Sequence, residues 1–279
     1  MIGGVLLDRY LARIGVPTPT APDLSALQAV VTGHTRSIAF ENLDPLTGVE
    51  PALDPQGLAT KLVDGGRGGW CFEQNGLLRN ALGELGYQVT GLAARVRYRR
   101  PPDAPPGARG HMLLLVDGLP DGPHVVDVGF GGGTPTGVLR LAPDEIQQTP
   151  NEACRIVRDG GDPQGYVMEI RLGDSWVALY SFDLTRQLPV DYEITNFYLA
   201  HHPESHFRHM LMVSRPEPGI RYALANDRLS IHRLDGPGEQ RILGTVAELR
   251  EVLATTFGLD LTGVAGVDAA LQRILDGSR

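Results

Sequence analysis

At 279 residues the chain is long enough for two domains or for one large domain with a lid, and its formal net charge of −8 argues against nucleic acid or an anionic membrane as its main partner. Hydrophobic residues make up 42% of it, yet no apolar run approaches the roughly 18 residues that span a bilayer. Residues 1–15 lack a basic stretch followed by an apolar core, so no secretory signal is expected. Two cysteines, Cys71 and Cys154, make no disulfide framework and fit a reducing cytoplasm best.

Residues 1–85 read as mostly helical. Leu6, Leu7, Tyr10 and Leu11 form an apolar stripe that Gly15 stops, with Pro17 and Pro19 blocking its continuation. Asp23 caps a helix over 24–32, and Asp54-Pro55 opens another through 63. A longer pattern covers 71–85: Cys71, Asn75, Leu78, Leu82 and Leu85 share one face, with Glu73, Asn80 and Glu84 opposite. From 87 the period drops to two and the residues become β-branched and aromatic, giving strands over 87–98, 111–116, 125–130, 154–157, 166–172 and 176–182. A proline-rich loop, Pro101-Pro102-Asp103-Ala104-Pro105-Pro106, separates the first two. Short strands at this spacing suggest an antiparallel barrel or sandwich. A connecting helix over 191–199 leads to strands over 210–213, 221–225 and 229–233, a helix over 246–257 with Thr245 and Glu248 as its capping box, and a last amphipathic helix over 267–275. Helices, then strands, then a smaller mixed segment make an α+β protein.

The chemistry centres on Arg67-Gly68-Gly69-Trp70-Cys71. Two glycines release the backbone just before the cysteine, which then opens a buried helix. Unpaired N–H groups and the positive end of the dipole gather in that first turn and favour thiolate over thiol, so the position suits a nucleophile. A small apolar core residue is the plainer reading of any buried cysteine.

A cysteine nucleophile needs a base, and the base an orienting group. Of the eight histidines, His111 heads the apolar strand Met112-Leu113-Leu114-Leu115-Val116, while Asp127 sits among valines, where burial is costly without a partner. The segment Asp117-Gly118-Leu119-Pro120-Asp121-Gly122 has turn composition, so the two strands form a hairpin. With the turn centred near 119 or 120, partner numbers sum to about 238 to 240, and residue 111 faces 127, 128 or 129. His111 and Asp127 then stand together at the open end, where a carboxylate fixes an imidazole tautomer.

Arg67-Gly68-Gly69-x-Cys71-x-Glu73-x-Asn75, followed by Arg109-x-His111 and by Val126-Asp127-Val128-Gly129-Phe130-Gly131, resembles the arylamine N-acetyltransferases. The likeness extends to Phe40-Glu41-Asn42, to Asn196-Phe197-Tyr198 and to Phe207. One departure is Gly110, where relatives often carry a threonine. The resemblance implies a helical bundle (1–86) carrying the nucleophile, an antiparallel β-barrel (87–190) carrying His111 and Asp127, and a connecting helix with an α/β lid (191–279) on a cysteine-protease- or transglutaminase-like core. It implies a Cys71-His111-Asp127 triad, acetyl-CoA as donor, no metal, and arylamines, arylhydrazines or N-arylhydroxylamines as acceptors. Phe40, Phe130 and Phe207 match the family's aromatic residues lining the acceptor pocket.

Gly131-Gly132-Gly133-Thr134 directly follows the Asp127 strand, and glycines there let the backbone approach a pantetheine arm or a pyrophosphate. A flexible turn is the alternative. Gly129-x-Gly131-x-x-Thr134 superficially matches a dinucleotide fingerprint, but the third glycine is missing and Pro135 denies it a following helix. His202, His206 and His209 share a helical face, yet Pro203 and the adjoining strand disfavour a metal site. No G-x-S-x-G elbow occurs, which removes the usual serine hydrolase. Two other classes stay open: a hydrolase or transglutaminase-like enzyme using the same residues, and a catalytically silent CoA-binding protein.

Overall fold

The computed structural model describes residues 4–101, 104–161 and 164–277; Pro102 and Asp103 of the proline-rich loop and the first three residues of the helical stretch lie outside them. Helix α1 (Gly4–Ile14) ends at Gly15, whose φ of +67° is a left-handed turn that glycine takes without strain. In α2 (Leu24–Ser37), Asp23 Oδ1 accepts the Ala26 N–H at 2.8 Å. This helix passes its expected end at 32 because Val31, His34 and Thr35 are all buried in the bundle. The short strand β1 (Phe40–Glu41) and helix α3 (Leu43–Thr47) follow, both too brief to show a period. Helix α4 (Pro55–Leu58) opens on Asp54 as expected but widens into a π-helical turn, Ala59–Asp64, that carries Lys61 into ion pairs with Asp44 and Glu73.

Helix α5 (Cys71–Glu84) is buried all round over its first two turns. Glu73 is therefore inside rather than on a polar outer face, and its ion pair with Lys61 at 2.7 Å is what makes that burial tolerable.

Eight strands follow as one antiparallel sheet: β2 (Gln88–Val96), β3 (His111–Asp117), β4 (His124–Val126), β5 (Leu139–Arg140), β6 (Ile146–Gln148), β7 (Ala153–Arg158), β8 (Tyr166–Leu172) and β9 (Ser175–Phe182). Their spatial order is β5-β4-β3-β2-β9-β8-β7-β6. The two ends meet through one side chain: the Gln147 amide accepts the Arg140 N–H at 2.7 Å and donates to the Arg140 carbonyl at 2.9 Å. That seam nearly closes the sheet into a barrel. Strand β3 is apolar on both faces because both are covered. Leu113 and Leu115 fill the barrel, while Met112, Leu114 and Val116 pack on the helical bundle. The strand expected over 125–130 stops at Val126, because the Asp127 carboxylate turns back to accept the Gly129 N–H at 2.9 Å and takes the backbone out of the ladder.

Helix α6 (Pro189–His201) leads to a second sheet: β10 (Met212–Glu217), β11 (Ile220–Ala225), β12 (Arg228–Arg233) and β13 (Glu239–Ile242), covered by α7 (Val246–Thr255) and α8 (Val267–Gly277). Strand β1 joins it through Phe40 opposite Ser214, so a segment of the N-terminal third forms the edge of the last sheet. Leu224 and Leu229 of the sheet meet Leu249, Leu253 and Leu271 of the helices in a separate core. Strand β13 is exposed along its whole length and shows no alternation, hence its absence from the sequence reading. Among the described residues no helix is long and apolar enough to cross a membrane.

Candidate active site

Cys71 owes its place to the backbone before it. Gly69 donates to the Ala39 carbonyl and accepts from the Glu41 N–H, both at 3.2 Å, so the Gly68-Gly69 segment lies directly against β1. A Cβ on Gly68 would sit 2.1 Å from the Ala39 oxygen. Neither Gly68 nor Gly69 has positive φ: they are needed for closeness rather than for an unusual backbone angle. Trp70 then stays extended, and the Glu73 carboxylate reaches back to its N–H at 3.1 Å, the return arm of a capping box. Trp70 itself is held by Asn196, whose Oδ1 accepts the indole N–H at 3.2 Å. The helix consequently starts at the cysteine, with its unshared N–H groups gathered there.

The hairpin supplies the rest. Leu114 pairs with Val126 and Val116 with His124, so partner numbers sum to 240, the top of the expected range. Continued, this register sets His111 opposite Gly129 and makes Asp127 its diagonal neighbour. His111 Nε2 lies 2.7 Å from Asp127 Oδ2, with both side chains buried. The other carboxylate oxygen accepts the Gly129 N–H at 2.9 Å and Asn75 Nδ2 at 3.0 Å. Asn75 also donates to the Met112 carbonyl at 2.8 Å and accepts the Val128 N–H at 3.1 Å. One amide, a turn beyond Cys71, thereby pins both strands of the hairpin to helix α5. Gly129 completes the approach, since a Cβ there would lie 2.7 Å from Cys71 Cα.

Burial disfavours the imidazolium, but the Asp127 carboxylate and a hydrogen bond with Cys71 outweigh it and carry His111 up to about 10. With Nε2 on Asp127, Nδ1 is the nitrogen left for the sulfur. Burial likewise pushes Asp127 up, and His111, Gly129 and Asn75 together hold it below the ordinary carboxylate range. The arrangement is a sulfur, an imidazole that keeps its proton, and a carboxylate that fixes the ring. The second cysteine differs. Burial inside the barrel pushes the Cys154 thiol up to about 12.

Phe130 stands edge-on to His111, centroids 5.1 Å apart. Phe40 lies against Gly131, whose Cβ would meet its ring at 3.5 Å. Phe207 packs edge-on to Trp70 at 5.2 Å and is tied to the N-terminal third by Asn42, which donates to its carbonyl at 2.8 Å. All three aromatic candidates thus neighbour the Cys71–His111 pair or the residues that place it. Gly131-Gly132-Gly133-Thr134 forms a tight turn, closed by Thr134 N to the Gly131 carbonyl at 3.0 Å. Phe197 and Tyr198, part of the family likeness, are exposed, whereas Asn196 is buried. His209 bonds to the Pro203 carbonyl, and among the described residues no group of His, Cys, Asp or Glu is disposed to hold a metal.

Sequence reasoning missed Tyr180, whose ring lies 4.9 Å from His111 and 5.2 Å from Phe130. Burial and the Asp127 charge push its phenol well above the usual range, so it stays protonated. The only signal for it was the strand order: Ala94 of β2 pairs with His111 on one side and Phe182 on the other, which brings β9 to the histidine.

A helix-borne cysteine set against the histidine and aspartate of a barrel defines the class, a cysteine-protease-like α+β fold. The N-acetyltransferase family model matches residues 23–266. An arylamine N-acetyltransferase of Mycolicibacterium smegmatis is 40% identical over 275 residues, covering 97% of this chain and 98% of the relative. An arylamine N-acetyltransferase / N-hydroxyarylamine O-acetyltransferase of Salmonella typhimurium is 38% identical, covering 92% and 90%. The solved structure of Mycobacterium marinum arylamine N-acetyltransferase in complex with CoA matches with a TM-score of 0.91 at 41% identity, over 97% of this chain and 98% of that one. The chain belongs to the arylamine N-acetyltransferase family.

Proposed function

We propose that this protein transfers the acetyl group of acetyl-CoA to arylamines and arylhydrazines, and to the oxygen of N-arylhydroxylamines, by a ping-pong route through acetyl-Cys71. The observation that carries the reading is the imidazole of His111 set between the Cys71 sulfur and the Asp127 carboxylate 2.7 Å away, in a chain whose relatives bear that name. The Cys71 thiolate attacks the thioester carbonyl, and the departing CoA sulfur takes the proton that His111 carries. An amine then attacks the acetyl-cysteine; His111 accepts its proton, and the cysteine sulfur leaves. Asp127 keeps the ring in one tautomer throughout. Phe40, Phe130 and Phe207 provide the apolar wall that a flat acceptor needs, and the Gly131–Thr134 turn lies where the donor arm passes. Two unbridged cysteines fit work in the cytoplasm.

Mass spectrometry after incubation with acetyl-CoA tests this. One added acetyl on the Cys71 peptide, removed again by an arylhydrazine, is the expected result, and Cys71→Ala loses both it and the burst of free CoA. A full burst in that variant would refute the nucleophile. Cleavage of a peptide or amide without thioester-dependent acetylation would favour the hydrolase alternative.

A further inference from the structure

We propose that Arg221, on lid strand β11, is a positioning residue of the donor site: its guanidinium holds the Gly131–Thr134 turn so that the Gly132 and Gly133 N–H groups are presented to acceptor oxygens of the CoA thioester. The inference rests on the donor reading above and names the residue that shapes that site from the opposite side of the fold.

One guanidinium makes every tie. Arg221 Nε and Nη2 meet the two Glu152 carboxylate oxygens at 2.7 and 2.6 Å, Nη2 also donates to the Thr134 carbonyl at 2.9 Å, and Nη1 reaches the Gly132 carbonyl at 3.4 Å. Arginine and glutamate are both buried, which neither tolerates without the other. Asn151 strengthens the junction, its Nδ2 donating to the carbonyls of Glu217 at 3.0 Å and Ile220 at 3.3 Å in the lid hairpin. Lid and barrel are thus joined at the glycine turn.

Peptide geometry sets the consequence. In a trans peptide, C=O and N–H point in opposite directions, and the described residues contain no cis bond. The Gly131 carbonyl points into the turn to close it, so the Gly132 N–H points out. The Gly132 carbonyl points at Arg221, so the Gly133 N–H points away from the lid. Neither N–H has an acceptor among the described residues. Two adjacent N–H groups without a protein acceptor are donors of the kind that phosphate and carbonyl oxygens take up. A side chain is crowded out at Gly133, where a Cβ would lie 3.0 Å from Leu179 and 3.3 Å from Phe130, while the space beside Gly132 is open. The same short segment carries Asp127, Gly129 against Cys71, and Phe130 against His111, so its far end is fixed by the lid and its near end by the triad. Without the guanidinium, a run of three glycines, the residues with most backbone freedom to lose, keeps only the turn's own Thr134 N–H to Gly131 carbonyl bond and its packing on Phe40.

The test uses the full chain with Arg221→Gln and Arg221→Lys, measuring KM for acetyl-CoA, KM for an arylhydrazine, and the rate at which iodoacetamide alkylates Cys71. Arg221→Gln is expected to raise the donor KM at least ~10-fold, with acceptor KM and alkylation within twofold of wild type. Arg221→Lys keeps the charge beside Glu152 but cannot reach both carbonyls, and falls between. It also decides the matter if Arg221→Gln does not fold. A donor KM within twofold of wild type overturns the proposal. So does a parallel shift of all three readouts, the mark of general loosening. Failure of acetyl-CoA to acetylate wild-type Cys71 would instead overturn the donor reading, and this inference with it.

Discussion

Two buried groups of charge flank Cys71, and they are built differently. On the barrel side stand His111 and Asp127, one base and one acid, among the rings of Phe130 and Tyr180. On the helical side runs a longer chain of contacts. The Leu43 N–H bonds Glu41, Glu41 meets Arg67 at 2.6 Å, Arg67 meets Asp44 at 2.9 Å, and Lys61 joins Asp44 to Glu73 at 2.7 Å on each side. Glu73 ends it on the Trp70 N–H. The barrel-side cation can give up its proton; Arg67 on the helical side cannot at any accessible pH. Burial of charge alone therefore does not mark the chemistry. Contact with the sulfur does: the imidazole of the barrel-side pair is hydrogen-bonded to Cys71, whereas the helical cluster ends on the Trp70 N–H and holds the start of helix α5.

The largest effect that would break this contrast is at Asp127. Asp127→Asn presents an amide where His111 Nε2 needs an acceptor, which favours the wrong tautomer, and acetylation of Cys71 is expected to slow by roughly 10³–10⁴-fold, the scale seen when an orienting aspartate is lost. Stability at neutral pH falls as well, because His111 sheds its proton and the variant forfeits what its raised pKa contributes to folding. Stopped-flow release of CoA and urea unfolding together check both halves. A variant that unfolds while its remaining folded fraction keeps full activity would reverse the assignment.

Arg67→Ala is the converse experiment. It leaves Glu41, Asp44 and Glu73 facing Lys61 alone, and breaking a buried pair in this way costs about 3–5 kcal/mol. Denaturant midpoints should fall sharply, while iodoacetamide still labels Cys71 in preference to Cys154 in whatever remains folded. Equal labelling of the two cysteines would mean that the helical cluster, and not His111, governs the sulfur.

The barrel-side pair also sets a pH window. His111 moves from an ordinary 6.5 to about 10, so folding strengthens its hold on the proton. The stability this contributes is complete below 6.5 and is lost as pH rises through 10. Chemical denaturation at intervals from pH 6 to 11 should show that decline in wild type and not in Asp127→Asn. A flat wild-type profile would show that the imidazole is not held charged.

Much of this was legible in the sequence, for reasons that also explain the remainder. Cys71 was readable because a helix start shows in local periodicity, and the His111–Asp127 pair because a hairpin's register follows from its turn. Asn75 stood out as a member of an apolar face and of the family motif, without a role; its clamp on Met112, Asp127 and Val128 depends on two strands docking against α5, which no local pattern records. Tyr180 and Arg221 reach the site across strand neighbours distant in the chain. The glycines before Cys71 were read as loosening the backbone, whereas they admit β1, a strand of two residues that no alternation could reveal. Glu73 was assigned to the outer face because helical period sees polarity and not partners.

The same Glu73 provides the smallest and sharpest separation of the two clusters. Three carboxylates share two cations there, and complete burial, reinforced by the Asp44 and Glu41 charges and only partly offset by Lys61, raises Glu73 to about 7 from an ordinary 4.5. A raised acid binds its proton more tightly when folded, so this contribution to stability is full below 4.5 and is lost as pH climbs through 7. Asp44→Asn leaves two carboxylates against two cations. At pH 8 it should cost no more than about 1 kcal/mol, the scale of a weakened hydrogen bond, because the remaining charges balance. The decline between pH 4.5 and 7 should shrink as Glu73 returns toward its usual range. Unfolding midpoints of both proteins at pH 5 and pH 8 decide it. A loss as large as that of Arg67→Ala would show that Asp44 is required for the balance rather than in excess of it, and acetylation of Cys71 should be unaffected in either case.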